Sequence, residues 1–207
     1  MPQVSFKEYV AQARSGASVV SFPTDTVPAL AVHPDRADLI YQLKQRSLDK
    51  PLILMAARIS DLWSYVNGSP LEYQIWQQVA ERYLPGALTL VLPASDRVPP
   101  TMNPKDSTSI GVRVPDHAIA RAILTQTGPL ATTSANRSGQ PPLLTTAEIE
   151  HQFPQVLTLA PAEGLALSPQ FQPATATAIA SGVPSTVAKW TGAGWEILRQ
   201  GAVFIDG

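Results

Sequence analysis

Apolar residues along this chain recur with two spacings. In SFKEYVAQARSG, Phe6, Val10 and Ala13 share one helical face, Ser5 and Glu8 make an N-terminal capping pair, and Gly16 ends the segment. PDRADLIYQLKQRS repeats the helical pattern through Ala37, Ile40, Tyr41 and Leu43, with Lys44 and Arg46 at or just past its C-terminal end, where cations suit the helix dipole. SDLWSYV, PLEYQIWQQVAERY, the stretch from His117 to Thr127 and TAEIEHQF also read as helices. Short apolar runs of strand length lie between them: SVVSF, PLILMA, GALTLVLP, SIGVRVP, GPLATTSA, VLTLA, STVAKW and WEILRQG. Helices interleaved with continuous apolar strands predict an α/β fold whose sheet is covered on at least one face. PAEGLALSPQFQPATATAIASGVP, residues 161–184, shows no clear period and reads as a long surface loop.

The 207 residues suit one domain spanning the chain, and 44% hydrophobic against 15% charged residues suits a well-buried core. Proline, at 20 residues, is about twice its usual ~5% share and falls mostly between apolar segments, which stiffens the loops. A net charge of −1 offers no global attraction to polyanions, so any phosphate must be met by locally clustered cations. The absence of cysteine excludes disulfides and thiolate chemistry, and His33, His117 and His151 have no metal-ligand spacing, so no metal site is expected. With no apolar run of membrane-spanning length and Lys7 and Glu8 in the N-terminal stretch, a cytoplasmic, membrane-free protein is expected.

The chemistry-bearing residues gather at the ends of the apolar segments. Glycine-rich phosphate loops and the G-x-S-x-G elbow are missing, so phosphate binding would rest on side chains. Lys44, Arg46 and Lys50 in KQRSLDKPL combine an Arg fork with ammonium groups, enough to clamp a polyphosphate, although a solvated helix end would look the same. LATTSANRSG puts Thr132, Thr133, Ser134 and Asn136 at a strand's carboxyl end, where open α/β sheets bind ligands and where ordinary turns want the same residues. FPTDTV repeats the device with Thr24, Asp25 and Thr26. Arg113, inside an apolar strand, must find an anion or reach solvent. Ser185, Thr186 and Arg199 lie near the last strand ends, and five such places exceed what turns need.

Taken together and in order, FPTDTV, KQRSLDKPL, LPGALTLVL, GVRVP, TTSANRSGQP, STV and LRQG resemble the YrdC-like family of threonylcarbamoyl-AMP synthases, from about Val4 to Gly201. The resemblance implies a twisted mixed open sheet with flanking helices and a positively charged groove. It implies that L-threonine, bicarbonate and ATP with Mg²⁺ yield threonylcarbamoyl-AMP and pyrophosphate. The product then passes to transfer machinery that modifies the tRNA adenosine beside the anticodon. By motif, it assigns Lys44, Arg46 and Arg113 to catalysis and Thr24, Thr26, Lys50 and Ser134 to threonine or its carbamate. Lys44, Arg46, Ser134, Asn136, Ser185 and Arg199 fall to the nucleotide. This chain has Pro28, Ala29 and Leu30 where the family usually has Tyr-Gly-Leu, and Ser47 where proline follows K-x-R. Both departures are expected to border the pocket and alter one wall of the amino-acid site. The rival readings are a non-catalytic module holding double-stranded RNA or tRNA in the groove by charge, and a paralogue acting on another carbamoyl adenylate.

Overall fold

The computed structural model describes residues 3–168 and 181–205. Its elements run β1 (Gln3–Val4), α1 (Phe6–Ser15), β2 (Val20–Phe22), β3 (Ala29–Val32), α2 (Asp38–Lys44), β4 (Ile53–Met55), α3 (Pro70–Tyr83) and β5 (Leu88–Pro93). Then come β6 (Ser109–Arg113), α4 (Ala118–Thr127), β7 (Leu130–Ser134), α5 (Thr146–Gln152), β8 (Thr158–Leu159), α6 (Pro161–Leu167), β9 (Thr186–Trp190) and β10 (Trp195–Arg199). Eight strands form one mixed sheet in the order β10-β9-β5-β6-β4-β7-β3-β2, and β1 pairs with β8 apart from it. Within the large sheet β4–β6 and β5–β9 are parallel and the other neighbours antiparallel.

The two sheet faces are covered unequally. On one face Leu30, Leu54, Leu90, Val112, Ala131 and Ala188 pack against Ile40 and Tyr41 of α2 and Trp76 and Ala80 of α3. On the other, Tyr9 and Ala13 of α1 and Ile119, Ile123 and Leu124 of α4 cover Val20, Phe22, Ala31 and Leu130. That second cluster takes no residue from β5, β6, β9 or β10, so part of this face stays open and forms the floor of a cleft.

Local signals set the helix ends, at α1 as the sequence predicts. Ser5 Oγ accepts from the Glu8 amide, Gly16 closes α1 at φ 67°, and α3 starts on a full capping box of Ser69 and Glu72. Three readings change. SDLWSYV forms two short 3₁₀ turns, Ile59–Asp61 and Trp63–Tyr65, and the chain is already extended at Val66, which bridges to Ala94 and so ends the helical course. Ala29–Val32 is a fully buried strand, next to the β2 edge, that the pattern did not reveal, since a run buried on both faces has no alternation. Residues 161–184 are not a loop at their start: Pro161 opens α6, helped by helix-forming alanines and leucines, and Leu167 packs on the second cluster. Residues 169–180 of that stretch lie outside the described residues, and 181–184 carry no helix or strand.

Ahead of α3, Gly68 lies against the ring of Trp76, where an added methyl would sit 2.4 Å from Cη2. Trp76 is fully buried and has no room to retreat. Gly68→Ala is therefore expected to lower stability by about 1–3 kcal/mol in urea denaturation; an unchanged midpoint would show that the indole can shift.

Candidate active site

The cleft has a volume of about 480 Å³ and takes residues from β3, β4, β6, β7, the end of α2 and the chain around Ser185 and Arg199. All the residues singled out by motif except Thr24 line it: Thr26, Lys44, Arg46, Lys50, Arg113, Ser134, Asn136, Ser185 and Arg199. Thr24 builds the turn beneath. Its Oγ1 accepts from the Thr26 amide (3.2 Å), donates to the Val27 carbonyl (2.7 Å) and lies 3.1 Å from Thr26 Oγ1.

Lys44 ends α2, and Gln45 follows in the left-handed conformation at φ 50°, turning the chain so that Arg46 and Lys50 border the same cleft. The Lys44 side chain is 1% exposed. Its Nζ donates to Thr133 Oγ1 (3.2 Å), Asn136 Oδ1 (3.3 Å) and the Ser134 carbonyl, three acceptors without a carboxylate among them. Ser134 Oγ donates to the same Asn136 Oδ1 (2.6 Å), and Asn136 Nδ2 is held by the carbonyls of Arg137 and Gln140. Burial, reinforced by Arg46 and then Lys50, pushes the Lys44 ammonium down to about 7.

Two arginines are pinned along one edge. Arg46 donates from Nε to Lys50 O (2.9 Å) and from Nη2 to Pro51 O (3.0 Å). Arg199 does the same towards Ser185 O, from Nε (3.0 Å) and Nη2 (2.8 Å). Among the described residues neither Nη1 has a hydrogen-bond acceptor, and each guanidinium is held in one orientation by its other nitrogens. Arg113 is different: it is 3% exposed, and its nitrogens reach Gly86 O (3.1 Å), Thr26 Oγ1 (2.9 Å) and Asp25 Oδ1 (2.8 Å). Burial lowers its pKa and Asp25 opposes the shift. Asp25 also accepts from the Asp116 amide (3.2 Å), and the backbone of Asp25 and Thr26 accepts from Ser181 and Gly182. The buried pair thus fastens the FPTDTV turn to β6.

The sequence reading missed Asp25 as this partner, although an arginine within an apolar strand called for an anion nearby. It also missed the floor residues Val27, Ile53 and Met55; the period of two in PLILMA puts Ile53 and Met55 on one face. Of the departures from the family pattern, Ala29 lines the floor, whereas Pro28 does not border the cleft: it backs onto Phe22, Ile119 and Ile123 at a small apolar crevice. Ser47 is likewise outside the lining and caps its own turn at Asp49 Oδ2 (2.8 Å).

Residues 12–201 match the Sua5/YciO/YrdC family model, described as telomere recombination. A threonylcarbamoyl-AMP synthase of Vibrio campbellii is 38% identical over 150 residues, 70% of this chain and 80% of that protein. One of Escherichia coli O1:K1 is 35% identical over 149 residues, 70% of this chain and 77% of that protein. Among solved structures, Pyrococcus abyssi (P. abyssi) Sua5 complexed with L-threonine superposes with a TM-score of 0.77 at 27% identity over 95% of this chain. The chain spans about half of that longer protein, 54%. E. coli YciO shares the fold, with a TM-score of 0.75 at 24% identity over 95% of this chain and 89% of its own.

Asp25→Asn removes the charge facing a buried guanidinium. It is expected to cost about 3 kcal/mol in urea denaturation. A loss under about 0.5 kcal/mol, the range of ordinary surface changes, would mean that the pair does not fasten the turn.

Proposed function

The chain belongs to the Sua5/YciO/YrdC family, and from that premise and the cleft we propose that it makes threonylcarbamoyl-AMP from L-threonine, bicarbonate and ATP, releasing pyrophosphate. The observation that carries this reading is the convergence of Lys44, Arg46, Lys50 and Arg199 on one cleft whose lining, among the described residues, holds a single carboxylate, Asp49. ATP brings about four negative charges, and such a site neutralises them with side chains where no glycine-rich loop does so.

The reaction joins a carbamate oxygen of N-carboxylated threonine, not its α-carboxylate, to the α-phosphorus and breaks the bond from that phosphorus to the pyrophosphate oxygen. No protein nucleophile is needed; the chain supplies position and charge. Arg46 and Arg199, held by backbone carbonyls, orient the phosphates, and Lys44 lies beneath them with Ser134 and Asn136. Thr26, Thr132 and Ser134 offer hydroxyls beside the apolar Val27, Ala29 and Met55, a lining suited to a small amino acid with one methyl and one hydroxyl. Arg113, itself in the lining, and Thr24 beneath it hold the turn that carries Thr26. With one carboxylate in the lining, magnesium would arrive already bound to the triphosphate, as part of the substrate. In this reading the product passes to machinery that transfers it to tRNA, RNA itself touches the rim of the groove by charge, and the work is done in the cytoplasm. No helix among the described residues is long and apolar enough to cross a membrane.

Mass detection of the adenylate in mixtures with and without L-threonine tests the reaction: product that requires threonine is expected, and ATP consumption indifferent to threonine would contradict it. Lys44→Ala is expected to lower turnover at least about 100-fold, the scale of losing one charge-stabilising donor. Lys44 also gives the site a pH signature. Its folded-state pKa lies below the usual lysine value, so the folded protein sheds this proton near pH 7 while the unfolded chain keeps it to about 10.4. Its penalty on stability is therefore full below about pH 7 and lifts as pH rises. A bound triphosphate favours the charged form. At pH 8 ATP binding is expected to take up a proton, read by calorimetry in buffers of different ionisation enthalpy. Lys44→Met should abolish that uptake; uptake that persists would place the proton elsewhere.

A further inference from the structure

Arg199 faces the cleft because the last strand pair is irregular. Trp195, Glu196 and Ile197 of β10 stand opposite Trp190, Lys189 and Ala188 of β9. Regular pairing would continue with Leu198 opposite Val187 and Arg199 opposite Thr186. Instead Arg199 stands opposite Val187, and Leu198 is the extra residue of a β-bulge. On β9, Ala188 and Trp190 belong to the packed core, while Val187 and Lys189 lie on the open face. Residues directly opposite in an antiparallel pair share a face. A regular ladder would thus turn Arg199 to the side of Thr186, and the bulge moves it by one step to the side of the cleft.

Thr186 holds the chain in this course. It is fully buried, and its hydroxyl accepts from the amides of Gly201 (2.9 Å) and Val203 (3.2 Å) and donates to the Val203 carbonyl (2.6 Å). Gly201 passes so close that an added methyl would lie 2.4 Å from Pro184 O and from Thr186 N. The segment directly after Arg199 is therefore fixed to the start of β9, the same place where Arg199 finds Ser185 O.

We propose that Thr186 is a positioning residue for the nucleotide site: by fastening Gly201 and Val203, its hydroxyl keeps the bulge at Leu198 that aims Arg199 into the cleft. The proposal rests on the reading of Arg199 as a contact of ATP. Thr186 acts only through Arg199, so the two side chains should not contribute independently.

A double-mutant cycle on pyrophosphate release tests this. Arg199→Ala is expected to raise the KM for ATP about tenfold, the scale of one charge-assisted hydrogen bond. Thr186→Val should raise it about fivefold, a partial loss of the same contact, with the KM for L-threonine little changed, and Thr186→Ser, which keeps the hydroxyl, should restore the parent value. The double variant should match Arg199→Ala alone. If Thr186→Val does not fold, Thr186→Ala, which leaves room for a water, replaces it in the cycle. Effects that multiply, or a Thr186→Ser variant that stays impaired, overturn the proposal and leave Arg199 as a nucleotide contact. If Arg199→Ala keeps the parent KM for ATP, the reading of Arg199 falls and the proposal falls with it.

Discussion

An ammonium group held out of water, with no carboxylate to meet it, is the constraint around which this structure is arranged. Lys44 is almost wholly enclosed, its hydrogen bonds go to uncharged oxygens, and Arg46 and Lys50 add repulsion. Burying an uncompensated charge is costly, by several kcal/mol in real proteins. In the reading proposed above, an anion completes this site and offsets that cost. The end of α2, the left-handed Gln45 and the turn after β7 all serve this arrangement, the first two by placing the cations and the last by placing their acceptors.

The unequal covering of the sheet makes room for it. Had α1 and α4 been joined by helices over β5, β6 and β9, the open face would be core, and Arg113 would have nowhere to reach. Instead the exposed part of the floor is bounded on one side by the FPTDTV turn, tied down through Asp25 and Arg113. Ser185 and Arg199 also border it, fixed by the turn of the chain beyond β10. Both parts are held by hydrogen bonds within the protein. That suits a reaction in which the protein contributes alignment and charge and no covalent step.

Much of this was legible in the sequence. The helix caps at Ser5 and Gly16 follow from short-range chemistry, and the cations and hydroxyls stood out because they clustered at segment ends. What stayed hidden depends on contacts far apart in the chain. β3 carried no alternation because both its faces are buried. Asp25 and Arg113 are 88 residues apart, so nothing local announced their pairing. Thr24 matched a binding motif but its hydroxyl is used within its own turn, and Pro28 was expected at the pocket wall yet faces the other way. The bulge at Leu198 is a property of strand register, which the alternation of a short edge strand does not fix.

If the cleft is built around cations that await a polyanion, ligand should stabilise the folded chain in proportion to how well it meets them. The direct measurement is the thermal midpoint across a titration of ATP, alone and with L-threonine and bicarbonate, set against sulfate at equal ionic strength. A saturable rise with ATP, increased by threonine and bicarbonate and not matched by sulfate, is the expected result. A midpoint indifferent to ATP, or one that sulfate raises equally, would contradict the account.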